Sequence, residues 1–351
     1  MTIKKSAQIF YGGFRFVKGG VNIHSNLLEK ELKKKFNVTL ISLDNVPFPF
    51  KYLPHLIEKF INLFSLPLGF FYKGIITRFL FKFFFKRKSD IRIFEDIYIS
   101  WNSQTPSVTI LHAVWSDNLQ KYFVQPKRIK KLKEKELNKI NSIKHPIAVV
   151  SEPYLNYIHR IHYQNKIKQK LKIVELGIEK IPMKSKPKKK SIIYVGALEA
   201  RKNIFLMLKI FKNIYKFDSK YQLTIIGTGP DKKKALNFCN KYGLPVRFLG
   251  NRKTNEIFKE LQKKQFYLHT SSKESFSLSL LEAKMCGLTT IAYKKLQVPR
   301  NFIDVGINDF KVNSWSKKIL TLNKTKPFNK KFNYKKYLIS NTARKLVSLA
   351  K

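Results

Sequence analysis

Two carboxylates with seven residues between them, Glu274 and Glu282, stand in the stretch Ser271-Ser272-Lys273-Glu274-Ser275-Phe276-Ser277-Leu278-Ser279-Leu280-Leu281-Glu282-Ala283-Lys284-Met285-Cys286-Gly287. The stretch reads as a strand end, a polar turn and then a helix whose N-cap is Ser277. Glu274 then lies in the turn and Glu282 inside the helix, so both can border one pocket at the helix N-terminus. That end of a helix presents unpaired backbone N–H groups and the positive end of the peptide dipoles, which suits a phosphate or a sugar oxygen. On residue type alone the pair also fits general acid/base work, and glutamates at this spacing are common in lysine-rich helices. Other residues that can carry chemistry are the basic pair Arg201-Lys202, Gly19-Gly20 in a strand-to-helix loop, and the strand-end glycines Gly196, Gly227 and Gly229. His112 ends a further strand, and ligands of open α/β sheets collect at that edge. Each has a plain alternative: an exposed basic pair, a turn, a surface histidine.

The elements that must position these residues alternate. Ala7 to Tyr11 and Val38 to Leu43 are strands around a helix with apolar spacing at Val21, Leu27, Leu28 and Leu32; Ile91 to Phe94, Val108 to His112, Ile147 to Ser151 and Lys172 to Glu175 continue the series. After a proline- and lysine-rich stretch the second half repeats the scheme more cleanly, with strands at Ile192–Val195, Leu223–Ile226, Val246–Leu249, Phe266–His269 and Thr289–Ala292 separated by helices. Strands alternating with helices at this spacing predict doubly wound parallel sheets. The expected organisation is an α/β chain of two Rossmann-like domains facing a central cleft. Residues 1–178 form the first domain, 179–190 the linker, 191–330 the second domain and 331–351 a C-terminal helix.

Composition bounds the function. A chain of 351 residues, 44% of them hydrophobic, can bury two cores and is not a disordered polyelectrolyte. Two cysteines, Cys239 and Cys286, support neither a disulfide framework nor a cysteine metal site, and fit a reducing, cytoplasmic setting. Met1 to Lys5 runs into a strand-like segment and not into the apolar region of a signal peptide, so no export is expected. The net charge of +48 has three readings: lysine used freely over the whole surface, a membrane-facing surface, or nucleic-acid binding. Sparse arginine and the lack of a recognisable nucleic-acid module weigh against the last. Residues 60–88 interleave phenylalanines with Lys73, Arg78, Lys82, Lys86, Arg87 and Lys88. As a helix it places Arg78, Lys82 and Lys86 on one side, suited either to a membrane interface or to burial on the first sheet with the cations reaching water. The interruptions at Pro67, Gly69 and the cations argue against a spanning helix.

Four segments then make the chain similar to retaining glycosyltransferases of the GT-B fold, the glycosyltransferase family 4 group (glycosyl transferases group 1). They are Val195-Gly196-Ala197-Leu198 with Arg201-Lys202, Ile225-Ile226-Gly227-Thr228-Gly229-Pro230, Phe248-Leu249-Gly250, and Glu274 with Glu282 followed by Ala283 and Gly287. Gly19-Gly20 with His24, His112 and Val150-Ser151 also fall where that group has its glycine loop, strand-end histidine and serine. The resemblance implies a nucleoside-diphosphate sugar bound mainly by the second domain. Glu282 would hold the ribose hydroxyls. Glu274 would accept from sugar hydroxyls, with backbone N–H groups around Phe276, Ser277 and Leu278 helping. Arg201 and Lys202 would neutralise the diphosphate, Gly19-Gly20 would close over it from the first domain, and Gly196, Gly227 and Gly229 would line the donor loops. His112 would bind the sugar or acceptor. The C-terminal helix, 331–351, would pack back on the first domain, and neither a metal nor another cofactor is implied.

The resemblance therefore implies a retaining hexosyltransferase with a polysaccharide or lipid-linked acceptor in cell-surface glycan synthesis. It would be cytoplasmic, with peripheral contact to an anionic membrane and no specific nucleic acid. The chain also departs from the group. Ala197 stands where an arginine is frequent, Ser277 where glycine is usual, Thr270 where proline is usual, and Leu176-Gly177 for Asn-Gly. The segment Lys294-Lys295-Leu296-Gln297-Val298-Pro299 lacks the paired glycines that normally follow that strand. A binding protein on the same fold with an eroded site is the alternative these departures raise, and a basic nucleic-acid-binding protein is the one the charge raises.

Overall fold

The computed structural model describes residues 4–17, 19–64, 68–119, 125–181, 188–322 and 332–351. The chain divides into two units, Met1–Glu179 with Lys335–Lys351, and Lys180–Tyr334.

The first unit runs β1 (Ser6–Phe10), α1 (Gly20–Leu32), β2 (Asn37–Ile41), α2 (Leu53–Phe64), α3 (Leu68–Phe84), β3 (Ile91–Phe94), β4 (Ser107–Leu111), α4 (Trp115–Leu119), α5 (Pro126–Ser142), β5 (Ile147–Val149), α6 (Glu152–Asn156) and β6 (Leu171–Ile173). Its strands form one parallel sheet in the order β2-β1-β3-β4-β5-β6. The second unit runs β7 (Lys188–Val195), α7 (Ile204–Phe217), β8 (Gln222–Ile226), α8 (Lys232–Lys241), β9 (Val246–Gly250), α9 (Thr254–Gln262), β10 (Lys264–His269), α10 (Leu278–Met285), β11 (Thr289–Tyr293), β12 (Val305–Ile307) and α11 (Val312–Leu322). Its sheet is also parallel, in the order β12-β11-β10-β7-β8-β9. The last helix, α12 (Ile339–Ala350), belongs to the first unit and packs on α1, β3 and β4. A bridge between Ile178 and Leu338 and a hydrogen bond from Thr342 Oγ1 to the Glu175 carbonyl at 2.8 Å hold it there.

Parallel sheets covered on both faces need strands that are apolar throughout, and β3, β4 and β5 are buried at every position. The sheet of the first unit is anchored by Phe10, Phe94 and Trp101, whose ring centroids lie 4.6–5.2 Å apart. Arg92, buried inside β3, is accommodated by a hydrogen bond from Nε to Gln8 Oε1 at 3.2 Å and by the Trp101 ring. In the second unit Tyr194, Phe211, Leu223 and Trp315 belong to one core cluster.

The basic-aromatic segment expected over 60–88 is not one element. It is the end of α2 and the whole of α3, packed on each other and tied by the Lys73–Glu58 ion pair at 2.7 Å. Both helices are apolar around most of their circumference, so one side packs and the other stays in water. Phe71, Thr77, Leu80 and Phe81 are buried, whereas Leu56, Phe60, Leu63, Phe64, Phe79 and Phe83 are each more than half exposed. Arg78 is half-buried and Lys82 and Lys86 are exposed. Among the described residues no helix is long and apolar enough to cross a membrane. Two short elements, α4 and β12, have no counterpart in the sequence reading, because five and three residues are too few to show a period. Pro67, the residues 182–187 of the expected linker and the basic loop Lys324–Lys331 lie outside the described residues.

One buried ion pair fixes α10 against the sheet. Lys284 Nζ lies 2.6 Å from Asp304 Oδ1, with both side chains under a tenth exposed, and Asp304 Oδ2 accepts from Thr290 N and Oγ1 at 2.9 and 3.0 Å. Removing the cation leaves Asp304 charged and buried. The substitution Lys284→Ala is expected to lower stability by about 3–5 kcal/mol, read as a shift of the urea midpoint.

Candidate active site

The site of the second unit is built where β7 and β10 end. After β7 the chain passes through Gly196 and Leu198 into a short 3-10 turn, Ala200–Lys202, that presents the basic pair. After β10 it passes through Thr270 and the polar turn to α10. Thr270 Oγ1 donates to the carbonyls of Lys202 and Asn203 at 2.9 and 3.2 Å, so the residue found where proline is usual ties the two loops together.

Glu274 is the centre of this arrangement. Its Oε1 lies 2.5 Å from Lys202 Nζ and 3.2 Å from His269 Nε2, and Arg201 Nη1 stands 4.0 Å from Oε2. Burial pushes the Glu274 carboxyl up, but Lys202, His269 and Arg201 together outweigh it and hold the group well below the usual carboxylate range. It is therefore ionised at neutral pH, and His269, whose own pKa burial lowers, donates Nε2–H to it. The other ring nitrogen of His269 is buried without a hydrogen-bond partner. Arg201 also pairs with Glu199 at 2.9 Å.

Glu282 has a different environment. It sits on α10, is 7% exposed, and burial pushes its carboxyl up to about 7. The two carboxyls of one motif are thus shifted in opposite directions, Glu274 down by its cationic neighbours and Glu282 up by burial. The expected N-cap is present, since Ser277 Oγ accepts from Leu280 N. Ser277 does this from the left-handed region, at φ +67, where glycine is the usual residue. Leu278 opens the helix, and the Phe276 ring is buried edge-on against Phe302 at 5.2 Å.

The glycines fall into two kinds. A Cβ on Gly227 would lie 2.0 Å from the Gly196 carbonyl oxygen, and one on Gly229 would lie 2.3 Å from that of Leu198. The loops after β7 and β8 touch backbone to backbone there, so packing alone demands these glycines. Gly19 and Gly20, the N-cap and first residue of α1, are exposed and have nothing within 4 Å of an added Cβ. Ala197 is exposed and brings no cation. In the segment that lacks the expected glycines, Leu296 and Val298 are buried and occupy the loop's interior.

In the first unit the sequence reading named His112 but missed its partner. Glu95, the residue after β3, is fully buried and bridges two imidazoles: His112 Nε2 at 2.7 Å and His24 Nδ1 at 3.0 Å from Oε2. Burial raises the Glu95 carboxyl, yet His24 and His112 together bring it down to about 2. Burial in turn lowers the His112 pKa against the pull of Glu95, so a neutral His112 donates Nε2–H and keeps a lone pair on Nδ1. His24 Nε2 is buried without a hydrogen-bond partner. Ligand-type atoms of His24, Glu95 and His112 all lie within 4.8 Å of one another. A cation placed there would have to displace both imidazole–carboxylate hydrogen bonds. The signal available in the sequence for Glu95 and for His269 was the same, a polar residue at the C-terminal end of a buried parallel strand.

Residues 178–338 match the family model described as glycosyl transferases group 1. The chain is 30% identical over 111 residues to the phosphatidylinositol N-acetylglucosaminyltransferase gpi3 subunit of Schizosaccharomyces pombe, covering 31% of this chain and 24% of that protein. It is 28% identical over 134 residues to the lipopolysaccharide 1,6-galactosyltransferase of Salmonella typhimurium, covering 36% of each. The matches thus span about a quarter to a third of the length of these curated relatives. In fold it is similar to a TarM variant of S. aureus solved in complex with fondaparinux, alpha-GlcNAc-glycerol and UDP, with a TM-score of 0.64, 14% identity and coverage of 98% of this chain and 96% of that one. Two six-stranded parallel α/β units are the GT-B architecture of such structures.

Glu282 permits a test of its environment without any ligand. The folded chain keeps this carboxyl protonated up to about pH 7, whereas the unfolded chain ionises it near its ordinary value of 4.5. The cost of burying the group is absent below the unfolded value, grows as pH rises towards the folded one and is constant above it. Glu282→Gln is therefore expected to gain stability relative to the parent between about pH 5 and pH 8, by up to about 3 kcal/mol, in urea unfolding followed across that range. Equal stability of the two proteins at every pH would show that Glu282 is solvated.

Proposed function

We propose that this chain is a retaining glycosyltransferase that moves a hexose-type sugar from a nucleoside diphosphate to a polysaccharide or lipid-linked acceptor in cell-surface glycan synthesis, on the cytoplasmic side of a membrane and without a metal. The observation that carries the proposal is the buried, ionised Glu274 held by Lys202 and His269 inside the region matched by the glycosyl transferase model. The galactosyl and N-acetylglucosaminyl transfers named for the two curated relatives support it.

In this reading Glu282 accepts from the ribose hydroxyls, and their donation supplies what burial withholds from its charged form. Glu274 accepts from sugar hydroxyls beside the backbone of Phe276, Ser277 and Leu278. Lys202 holds Glu274 and, with Arg201, faces the diphosphate. The C1–oxygen bond to the diphosphate breaks through an oxocarbenium-like state, and the acceptor oxygen bonds to C1 on the face being vacated. Its proton passes to the departing phosphate oxygen, so no carboxylate base is needed. His112, oriented by Glu95, accepts a hydrogen bond from sugar or acceptor through Nδ1. Gly19 and Gly20 leave room for close approach of a phosphate, while Gly196, Gly227 and Gly229 shape the strand-end loops.

The proposal is tested with a panel of UDP-, GDP- and ADP-sugars, scoring binding, hydrolysis and transfer. One donor is expected to turn over, Glu274→Ala to lower the rate by about 100-fold or more, and EDTA to leave it unchanged. Loss with EDTA and recovery with Mg²⁺ would overturn the metal-free reading, and no binding of any donor would overturn the whole proposal. Binding without turnover would favour a sugar-nucleotide-binding protein, the reading supported by Ala197 and by the apolar filling of the 294–299 loop.

The membrane contact we assign to the outer side of α2 and α3, where exposed phenylalanines and leucines lie among Lys59, Lys82 and Lys86. The parent chain is expected to float with phosphatidylglycerol vesicles at physiological ionic strength, and Phe60→Ser/Phe79→Ser to lose most of that binding. Undiminished flotation of the double variant would reduce the contact to charge alone.

A further inference from the structure

A cavity of about 320 Å³ opens in the first unit along α3 and α5, lined by residues other than those of the Glu95 cluster. Arg78, Lys135 and Lys139 all reach it, and Phe71, Ile75 and Tyr98 form its apolar wall. Among the described residues none of the three cations makes an ion pair. Lys139 Nζ donates to the Ser100 carbonyl at 2.7 Å, and burial pushes its pKa down to about 8. Burial likewise lowers Arg78. Lys135 lies over the rings of Phe71 and Tyr72 at 5.7 and 5.4 Å.

The nearby carboxyls offset this charge only in part: Asp96 pulls on Lys139 without pairing with it. Burial pushes Asp96 up to about 8, so it is largely uncharged at pH 7. Glu136, fully buried and also raised by burial, is engaged by the hydroxyls of Tyr98 and Tyr163 and by Ser116 N. Unpaired cations are ordinary on the surface of a chain with a net charge of +48. Convergence of three on one concavity, two of them partly desolvated, is different, because each raises the cost of the others unless an anion enters. An arginine fork with two ammonium groups matches a tetrahedral oxyanion. The volume lies at the small end of ligand pockets, and the apolar wall gives room for a short carbon group beside the anion.

We infer that this cavity binds a phosphate-class oxyanion. The surface at its rim favours a phospholipid headgroup as the source: Phe79 and Phe83 are exposed on the same helix that carries Arg78, beside the exposed Lys82 and Lys86. The inference does not depend on glycosyl transfer.

The test compares the parent chain with Arg78→Gln and with Lys135→Gln, the latter at a partly exposed position. Lys233→Gln and Lys345→Gln, both exposed and outside the cavity, serve as controls of equal charge. Calorimetric titration with inorganic phosphate and with diphosphate is run beside flotation on phosphatidylglycerol and phosphatidylcholine vesicles, with circular dichroism as the check on folding. Nucleotide-sugar binding in the same variants is expected to stay at the parent level, which separates this result from that of the donor panel. The cavity variants are expected to weaken binding by about tenfold and the controls to leave it unchanged. Weakening seen only with phosphatidylglycerol vesicles assigns the headgroup as ligand, and weakening seen only with phosphate or diphosphate assigns a free anion. If the cavity variants match the controls in every titration, attraction is diffuse and the inference is overturned.

Discussion

A carboxylate removed from water survives as an anion only if other groups take over its solvation. Two carboxylates near the C-terminal edge of a parallel sheet, one in each unit, meet that constraint. Glu274 is held by Lys202 and His269, Glu95 by His24 and His112. In both cases the partners come from other elements, so the water lost by the carboxylate is replaced only once the strands are in register. The loops around each carboxylate are positioned by the same requirement: Thr270 holds the carbonyls of Lys202 and Asn203, and Glu95 donates its own N–H to the Phe10 carbonyl of the next strand.

Glu282 marks the contrast. It belongs to the same motif as Glu274 but has burial without cations, and its carboxyl rests near pH 7. The polar groups left unfilled in these clusters, Nδ1 of His269 and Nε2 of His24, are further places where the protein has not satisfied itself.

The surplus of positive charge shapes the remainder of the surface. With 22 acidic side chains against 70 basic ones, most cations have no acidic partner and must face water. Arg78 and Lys139 depart from that rule, because α3 and α5 draw them part of the way into the protein. The apolar outer side of α2 and α3 adds hydrophobic area to the same region.

Much of this was legible in the linear order of residues. Strand-length apolar runs alternating with helices identify two parallel sheets, because period and run length are local properties. The cap at Ser277 was legible for the same reason, since a cap and the N–H it accepts are three residues apart. The glutamates and the basic pair were legible as a pattern, though not their division into one carboxyl held well below its usual range and one raised to about 7. That division follows from desolvation and from partners on other strands, which spacing does not encode. Glu95 and His269 went unread because each acquires its role from a residue between 5 and 71 positions away that only the fold brings to it. Gly227 and Gly229 read as ligand glycines, and the backbone contact between two loops adds a packing reason that the sequence does not show. The residues around Phe60 to Lys88 show the limit most clearly: their composition allowed either burial or exposure, and the packing of α2 on α3 assigned one to each side.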